Sequence, residues 1–284
     1  MEESVVKVVH LSHRYSIQWA IKDINFEIKE KGILGLLGSN GAGKSTTMNI
    51  ICGVLNQTEG EVYINGINLS ENPVEAKKHI GFLPQKPPLH PDLTVEEYLR
   101  HCAILRLVEK EKVKQAVDEA MERCRITQVS NRLIRNLSGG YQQRVGIAQA
   151  IVHHPRFVVL DEPTNGLDIP SKRVLRKLLA GYADERRTVV VSTHQVRDIE
   201  GMIDNVVILD SRGVVLNRTV EEISGRMWFG PVEASDHAIY AEEGIDGLRG
   251  ILENPAGSDS RPDLEMLFNA AVSEREAVRQ LFDR

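Results

Sequence analysis

The chain has 284 residues, of which 42% are hydrophobic and 26% are charged. These proportions are ordinary for a globular protein and exclude a disordered or fibrous chain, and the length suits roughly one or two domains. The formal net charge of −5 argues against a broad nucleic-acid-binding face, so we expect no nucleic acid partner.

Targeting and membrane signals are missing from the sequence pattern. The first residues, MEESVVKVVH, lack the cationic start and apolar run of a secretory signal. No apolar stretch approaches the roughly 18 residues that a membrane span needs. The three cysteines form no CxxC pair, which favours reduced structural thiols over a metal or disulfide role.

The first part of the chain is predicted to be mostly strands. A helix is predicted from about Gly43 to Leu55, and Asn65-Gly66 suits a two-residue hairpin turn within EVYINGINL. Alternating apolar positions and one short apolar run predict strands over 5–9, 21–28 and 32–37.

From Thr94 to Arg135 the pattern indicates helices only. Thr94 followed by Glu97 forms a capping box, and an amphipathic helix follows it. Strands are predicted again over 156–163 and 188–194. The sequence therefore predicts an α/β fold, a mainly parallel sheet with an inserted helical subdomain.

Beyond about Ile223 the periodicity is lost. Gly, Pro, Ser and Asp interrupt the sequence as far as Pro262. A last amphipathic helix is predicted from Asp263 toward Leu281.

The segment GSNGAGKST fits the phosphate-binding pattern G-x-x-x-x-G-K-[ST] between a predicted strand and a predicted helix. Lys44 provides a cation for the β- and γ-phosphates, and the Ser45 hydroxyl is a candidate Mg²⁺ ligand. A chance match in a flexible loop is the alternative. The nucleotide site is predicted to include Gly38, Ser39, Asn40, Gly41, Ala42, Gly43, Lys44, Ser45 and Thr46.

Two carboxylates follow the buried run FVVL, at the edge where open α/β sheets bind ligands. Asp161 is a candidate Mg²⁺ ligand, and Glu162 is the candidate base for the attacking water. A solvated turn would explain the same two acids, were it not for the phosphate-binding segment.

Three further residues are weaker candidates. His194 follows an apolar strand and is placed to contact the γ-phosphate or the water, although a structural histidine is the simpler interpretation. Gln85 ends the run GFLPQ, and its side-chain oxygen is a candidate to contact either Mg²⁺ or the attacking water. Tyr15 is placed to stack on a purine, although a buried core tyrosine is as plausible on composition.

A second anion-binding segment, NLSGGYQQR at 136–144, has no lysine. Its serine and glycines run directly into a predicted helix, whose N-terminus attracts anions.

With these motifs in order, residues 5–222 resemble the ATP-binding subunit of an ABC transporter. GSNGAGKST resembles the Walker A loop, FVVLDEP the Walker B strand, and LSGGYQQR the family signature. The other family positions matched are Gln85 (Q-loop), Asp168 in TNGLD (D-loop), His194 (H-loop) and the adenine-stacking Tyr15.

The resemblance implies a P-loop NTPase fold, with a mainly parallel sheet core, an antiparallel β subdomain and an inserted α-helical subdomain at 86–136. The cassette would span 1–222, followed by a C-terminal extension over 223–284. ATP and Mg²⁺ are the implied ligands, and ATP hydrolysis at the cytoplasmic face of a membrane is the implied activity.

The resemblance also implies two partners. A polytopic membrane permease would contact the helical insert, and a second cassette, either an identical copy or a close paralogue, would pair head to tail. Each ATP would then lie between one chain's Walker A loop and Ser138, Gly139 and Gly140 of the other.

The branch of the family rests on looser similarity. LPQKPPLHPDLTVEEYL and RPDLEMLFNAAV are similar to segments of bacterial exporter subunits for multidrug and antibiotic resistance or gliding. An importer subunit, a soluble ABC ATPase that acts on ribosomes or DNA, and a regulatory cassette without hydrolysis are the alternatives. Intact Lys44, Asp161, Glu162 and His194 disfavour the last of these.

Overall fold

The computed structural model describes residues 4–29, 32–183, 187–211, 213–233, 235–245, 247–254 and 260–283. A six-stranded sheet forms the centre, in the order β10-β9-β3-β8-β7-β6. All neighbouring pairs in it are parallel except β9 with β10. Its strands are β3 (Gly32–Gly38), β6 (Ile80–Leu83), β7 (Phe157–Asp161), β8 (Thr188–Ser192), β9 (Asn205–Asp210) and β10 (Gly213–Thr219).

A second, antiparallel sheet has the order β2-β1-β4-β5. The predicted hairpin is confirmed, since Asn65 and Gly66 have φ of 48° and 77° and Ile64 pairs with Ile67. The first two strands run further than predicted, so that they end close to the nucleotide-site residues. The strands are β1 (Val6–Tyr15), β2 (Gln18–Ile28), β4 (Glu59–Ile64) and β5 (Ile67–Asn68).

The helices lie on and between these sheets. The capping box is confirmed, because Thr94 Oγ1 accepts from the Glu97 N–H and the Glu97 carboxylate accepts from the Thr94 N–H. The helix predicted over 43–55 is shorter than expected, because the chain turns at Gly53, whose φ is 65°. The first six helices are α1 (Lys44–Ile51), α2 (Pro73–Lys78), α3 (Val95–Leu105), α4 (Val113–Arg123), α5 (Gly139–Ile151) and α6 (Ile169–Ala183).

The C-terminal part is more ordered than its sequence predicts. Its apparently aperiodic stretch contains a three-stranded antiparallel sheet, in the order β11-β13-β12. The single helix predicted from Asp263 is in fact two helices, because the first ends at Glu274. The elements are α7 (Val220–Arg226), β11 (Met227–Pro231), β12 (Tyr240–Gly244), β13 (Gly247–Glu253), α8 (Leu264–Ser273) and α9 (Arg275–Asp283).

The core shows how these parts are joined. One buried cluster includes the helical insert, the central sheet and the C-terminal elements, whereas the antiparallel sheet and α1 share a second cluster. The predicted boundary at 222 lies inside α7, and that division of the chain stays a prediction.

Candidate nucleotide-binding site

A cavity of about 580 Å³ opens where β3, β7 and β8 end. The central strands are parallel, so their carboxyl ends meet at one edge and bring distant parts of the chain together. The cavity is lined by Tyr15, Gln18, Trp19, Ala20, Ser39, Asn40, Gly41, Gly43, Lys44, Ser45, Thr46, Gln85, Asp161, Glu162, Ser192 and His194.

The loop between β3 and α1 depends on glycine at two positions. Gly43 has a φ of 96°, and a Cβ there would lie 2.3 Å from Ile21 Cγ2, so only glycine fits. Gly38 and Ala42 belong to this loop but do not line the cavity. The Cβ of a residue at 38 would lie 2.5 Å from the Leu209 carbonyl oxygen, so Gly38 allows the close approach of β9.

Lys44 is a buried cation with backbone partners. Its side chain donates to the Gly38 carbonyl at 2.6 Å and to the Ser39 carbonyl at 3.1 Å, and the residue is only 8% exposed. Burial lowers its pKa, and the charges of Glu162 and Asp161 oppose that effect. The ammonium has three N–H donors, of which two are used by these carbonyls, so one remains for an anion.

Asp161 and Glu162 lie side by side at the end of β7, and both are buried. Burial raises the pKa of Asp161, and the neighbouring Glu162 carboxylate raises it further. Glu162 has a φ of 50°, in the left-handed region that non-glycine residues rarely adopt. This turn directs the backbone away from the sheet immediately after the strand.

His194 holds Glu162 in place. The Glu162 Oε1 atom accepts from the His194 backbone N–H at 3.1 Å and lies 2.8 Å from His194 Nδ1. The Glu162 N–H donates to the Ser192 carbonyl at 2.9 Å. Glu162 is therefore fixed by residues at the end of β8 and directly after it, through its own main chain and its carboxylate.

Tyr15 and Gln85 line the same cavity but are exposed. Tyr15 is 53% exposed, so the alternative of a core tyrosine is wrong. The His13 ring packs edge-on against it, with ring centroids 4.8 Å apart. Gln85 follows the edge strand β6 and is also exposed.

Four lining residues were missed by the sequence reasoning: Gln18, Trp19, Ala20 and Ser192. Trp19 lies near Tyr15 because the β1–β2 hairpin is longer than its pattern indicates, and the Arg14 guanidinium lies 5.6 Å from the Trp19 ring centroid. Ser192 pairs with Asp161 across the parallel strands β7 and β8. Aligning the ends of the two predicted strands could have identified it.

The remaining predicted residues do not line this cavity. Ser138 and Gly139 are exposed at the N-terminus of α5, and outside the local backbone of that helix no atom lies within 4 Å of a Cβ built at Gly139. Gly140 is half-buried next to Ser171. Asp168 caps α6, accepting from the Ser171 N–H at 3.0 Å, and the contact with Ser171 lowers its pKa.

The oxygen donors fit a hydrated Mg²⁺. The Asp161 carboxylate, the Ser45 hydroxyl and the Gln85 amide line one cavity, and these are ligand types that Mg²⁺ prefers. Ser192, which is buried and pairs with Asp161 across the strands, also lines it. No group of three or more His, Cys, Asp or Glu in the described ranges forms a metal site of another kind.

Comparison with known proteins identifies the family. Residues 21–165 match the family model described as ABC transporter. The chain is 32% identical over 269 residues to an ABC transporter ATP-binding protein of Methanocaldococcus jannaschii, covering 93% of this chain and 97% of that protein. It is 35% identical over 207 residues to the bacitracin transport ATP-binding protein BcrA of Bacillus licheniformis, covering 72% of this chain and 67% of that protein.

The fold matches a solved structure of the same kind. A dimeric ATP-binding cassette in a post-hydrolysis state, bound to ADP and Pi, superposes with a TM-score of 0.68 at 29% identity. The match covers 75% of this chain and 98% of that cassette. The chain therefore belongs to the ABC transporter family, as an ATP-binding subunit that hydrolyses ATP.

Proposed function

We propose that two copies of this chain pair head to tail and enclose ATP between them. The observation that carries the proposal is the separation of two half-sites. Lys44 and Glu162 line one cavity, whereas Ser138 and Gly139 are exposed elsewhere, at the N-terminus of α5. The N–H groups at a helix N-terminus attract anions, so a second copy would complete the γ-phosphate site.

Within each site, the chain's own residues divide the work. Lys44 neutralises charge on the β- and γ-phosphates, and Tyr15 stacks on the base. Both contacts from His194 fall on Glu162 Oε1, so we assign Oε2 to taking the proton from the attacking water.

Asp161, Ser45 and Gln85 would hold Mg²⁺ next to the phosphates. The ion would neutralise part of the charge that develops on the transferred phosphoryl group. Burial of Asp161 among these donors supports the assignment, because a bound cation offsets the cost of a buried carboxylate.

Mixing two inactive variants tests the head-to-tail arrangement. Lys44→Ala removes one half-site and Gly139→Asp removes the other, so each variant alone should hydrolyse almost no ATP. A mixed pair contains one intact site, with Lys44 from the Gly139→Asp chain and Gly139 from the Lys44→Ala chain. Partial activity should therefore return on mixing.

The control replaces Gly139→Asp by the double variant Lys44→Ala/Gly139→Asp. That mixture has no intact Lys44 and should stay inactive. A mixture of the two single variants that is no more active than either alone would contradict the shared site.

We propose a polytopic membrane protein as the second partner, at the cytoplasmic face of the membrane. No helix among the described residues is long and apolar enough to cross a bilayer. The exposed Ile104, Leu105 and Leu107 at the end of α3 support a contact through the helical insert at 86–136.

Charge reversals on the insert test this surface. Lys86→Glu combined with Arg100→Glu should release the subunit from membranes that contain its partner, because both side chains are exposed at the predicted contact. Lys177→Glu, on α6, is the control with the same type of change. Equal membrane association of all three proteins in a flotation assay would rule out this contact.

Similarity to BcrA, a bacitracin transport protein, supports a role in transport, and the similarity of LPQKPPLHPDLTVEEYL to segments of exporter subunits favours export over import. The same similarity disfavours a non-transport ATPase acting on ribosomes or DNA. The partner protein that co-purifies with the chain would decide among the three.

A further inference from the structure

The segment directly after His194 determines where that histidine sits. Residues 195–198 form a short turn in which the Asp198 N–H donates to the Gln195 carbonyl at 2.9 Å. The Gln195 N–H donates to Thr193 Oγ1 at 2.9 Å. Since His194 holds Glu162 through its own backbone N–H, a displacement of this turn would displace the carboxylate.

Two cations of α6 bind this turn. Lys172 Nζ lies 2.6 Å from Asp198 Oδ2 and 3.2 Å from Gln195 Oε1. Arg176 donates to the backbone carbonyls of Asp198 and Arg197, the latter at 2.7 Å. The turn is therefore attached to α6 at four acceptors, two of them through Lys172.

The same helix is capped by Asp168, the residue matched to the D-loop position. The Lys172 N–H donates to the Asp168 carbonyl at 3.0 Å, so the Lys172 backbone is one helical turn from Asp168. The contacts form a closed ring, from Asp168 through Lys172 to the turn, then through His194 to Glu162 and back along the chain to Asp168.

We propose that Lys172 is a positioning residue for hydrolysis, which holds the His194–Glu162 pair in register with Asp168. This proposal rests on the roles proposed above for His194 and Glu162. The ion pair is partly shielded, with side-chain exposures of 23% for Lys172 and 16% for Asp198, so water and salt screen it less than a surface pair. Removing the lysine would leave Asp198 largely buried without its cation.

Lys172→Met keeps the aliphatic stem and removes the charge. Because Lys172 does not line the cavity, we expect an unchanged KM for ATP and a kcat lower by about tenfold or more, as misplaced catalytic groups give. Lys172→Arg should restore most of the rate. The matched control is Lys177→Met, an exposed lysine on another face of α6, which should behave as the parent.

Hydrogen exchange separates positioning from general loss of stability. In Lys172→Met, the amides of His194, Gln195 and Asp198 should exchange faster, while those of β8 (188–192) keep the parent's rates. A variant that is merely less stable would speed exchange throughout the sheet.

A double-mutant cycle with Asp198→Asn completes the test. If Lys172 acts through Asp198, then adding Lys172→Met to Asp198→Asn should lower kcat little further. Additive losses, or a parent-like kcat in folded Lys172→Met, would overturn the proposal. If Lys172→Met does not fold, parent-like rates in Asp198→Asn would overturn it as well.

Glu162→Gln in the same assay separates the role of Glu162 from the role of Lys172. Turnover in that variant would refute the proposed role of Glu162 as the base. An inactive Glu162→Gln beside a fully active Lys172→Met would refute only the role of Lys172.

Discussion

At the scale of single residues, the site depends on charges held out of water. Lys44 is buried with two carbonyl partners and a lowered pKa, so its charge is costly until an anion arrives. The same burial raises the pKa of Asp161. The phosphates of a bound nucleotide would pair with the Lys44 charge, and Mg²⁺ would pair with the Asp161 carboxylate.

Lys44→Ala should therefore abolish tight MgATP binding. The parent should be stabilised by about 2.7 kcal/mol at a hundredfold excess of ligand over Kd, and the variant by almost nothing. Thermal unfolding with and without MgATP measures the difference, with Lys177→Ala as the control. Equal stabilisation of parent and Lys44→Ala would place the nucleotide elsewhere.

The cavity residues that belong to recognisable sequence motifs could be predicted from the sequence, whereas the lining residues between them in space could not. Lys44, Asp161, Glu162, His194, Gln85 and Tyr15 all line one cavity. Trp19 and Gln18 were missed because cross-strand pairing continues to Tyr15 and Gln18, beyond the alternating apolar positions. The positive φ of Glu162 has no signal in the residue type itself.

At the scale of elements, α5 covers the free edge of the central sheet. Gln149 Nε2 donates to the Phe82 carbonyl at 2.7 Å, and His153 Nε2 lies 3.0 Å from the Ile80 carbonyl oxygen. Gln149 lies in the last turn of α5 and His153 two residues after its end, and both satisfy carbonyls of the edge strand β6. The strand that leads to Gln85 is thereby fastened to the helix that begins at Gly139.

The His153 contact predicts a pH dependence of stability. Burial lowers the pKa of His153 to about 4, with a smaller contribution from the Arg106 charge, against 6.5 for an unperturbed histidine. A folded-state pKa below the unfolded one stabilises the protein fully above pH 6.5, and the stabilisation is lost as pH falls toward 4.

The variant His153→Gln keeps an N–H donor but does not titrate. Between pH 7 and pH 4.5, the parent should lose roughly 2–3 kcal/mol more of its free energy of unfolding than the variant. Urea denaturation at the two pH values measures this, and the other titrating groups cancel in the comparison. Equal losses in both proteins would show that His153 is not buried as a neutral group.

The C-terminal sheet shows why some elements escape sequence patterns. Its strands contain Gly230, Pro231 and Gly250, which usually mark turns. A Cβ at position 230 would lie 2.2 Å from the Trp228 ring, so Gly230 makes room for a tryptophan on the same strand. The predicted start of the last helix at Asp263 is confirmed, since the Asp263 side chain caps α8 by accepting from the Met266 N–H. The break at Glu274 was not.

At the scale of the whole molecule, the two proposed half-sites do not share a cavity. Ser138 and Gly139 do not line the cavity that contains Lys44, although both segments have the features of an anion site. Pairing can respond to ATP only if the paired state makes contacts with it that the single chain lacks. The amides at Ser138 to Gly140 are our candidates for those contacts.

The most direct test compares Glu162→Gln with Glu162→Gln/Gly139→Asp by analytical sedimentation, with and without MgATP. A Cβ at position 139 meets no atom within 4 Å outside the local backbone of α5, so the double variant should fold and still bind ATP at Lys44. We predict MgATP-dependent dimers of Glu162→Gln, in which hydrolysis cannot dissolve the pair, and only monomers of the double variant. Dimers of the double variant at the same nucleotide concentration would contradict the shared site and leave NLSGGYQQR as the start of a helix.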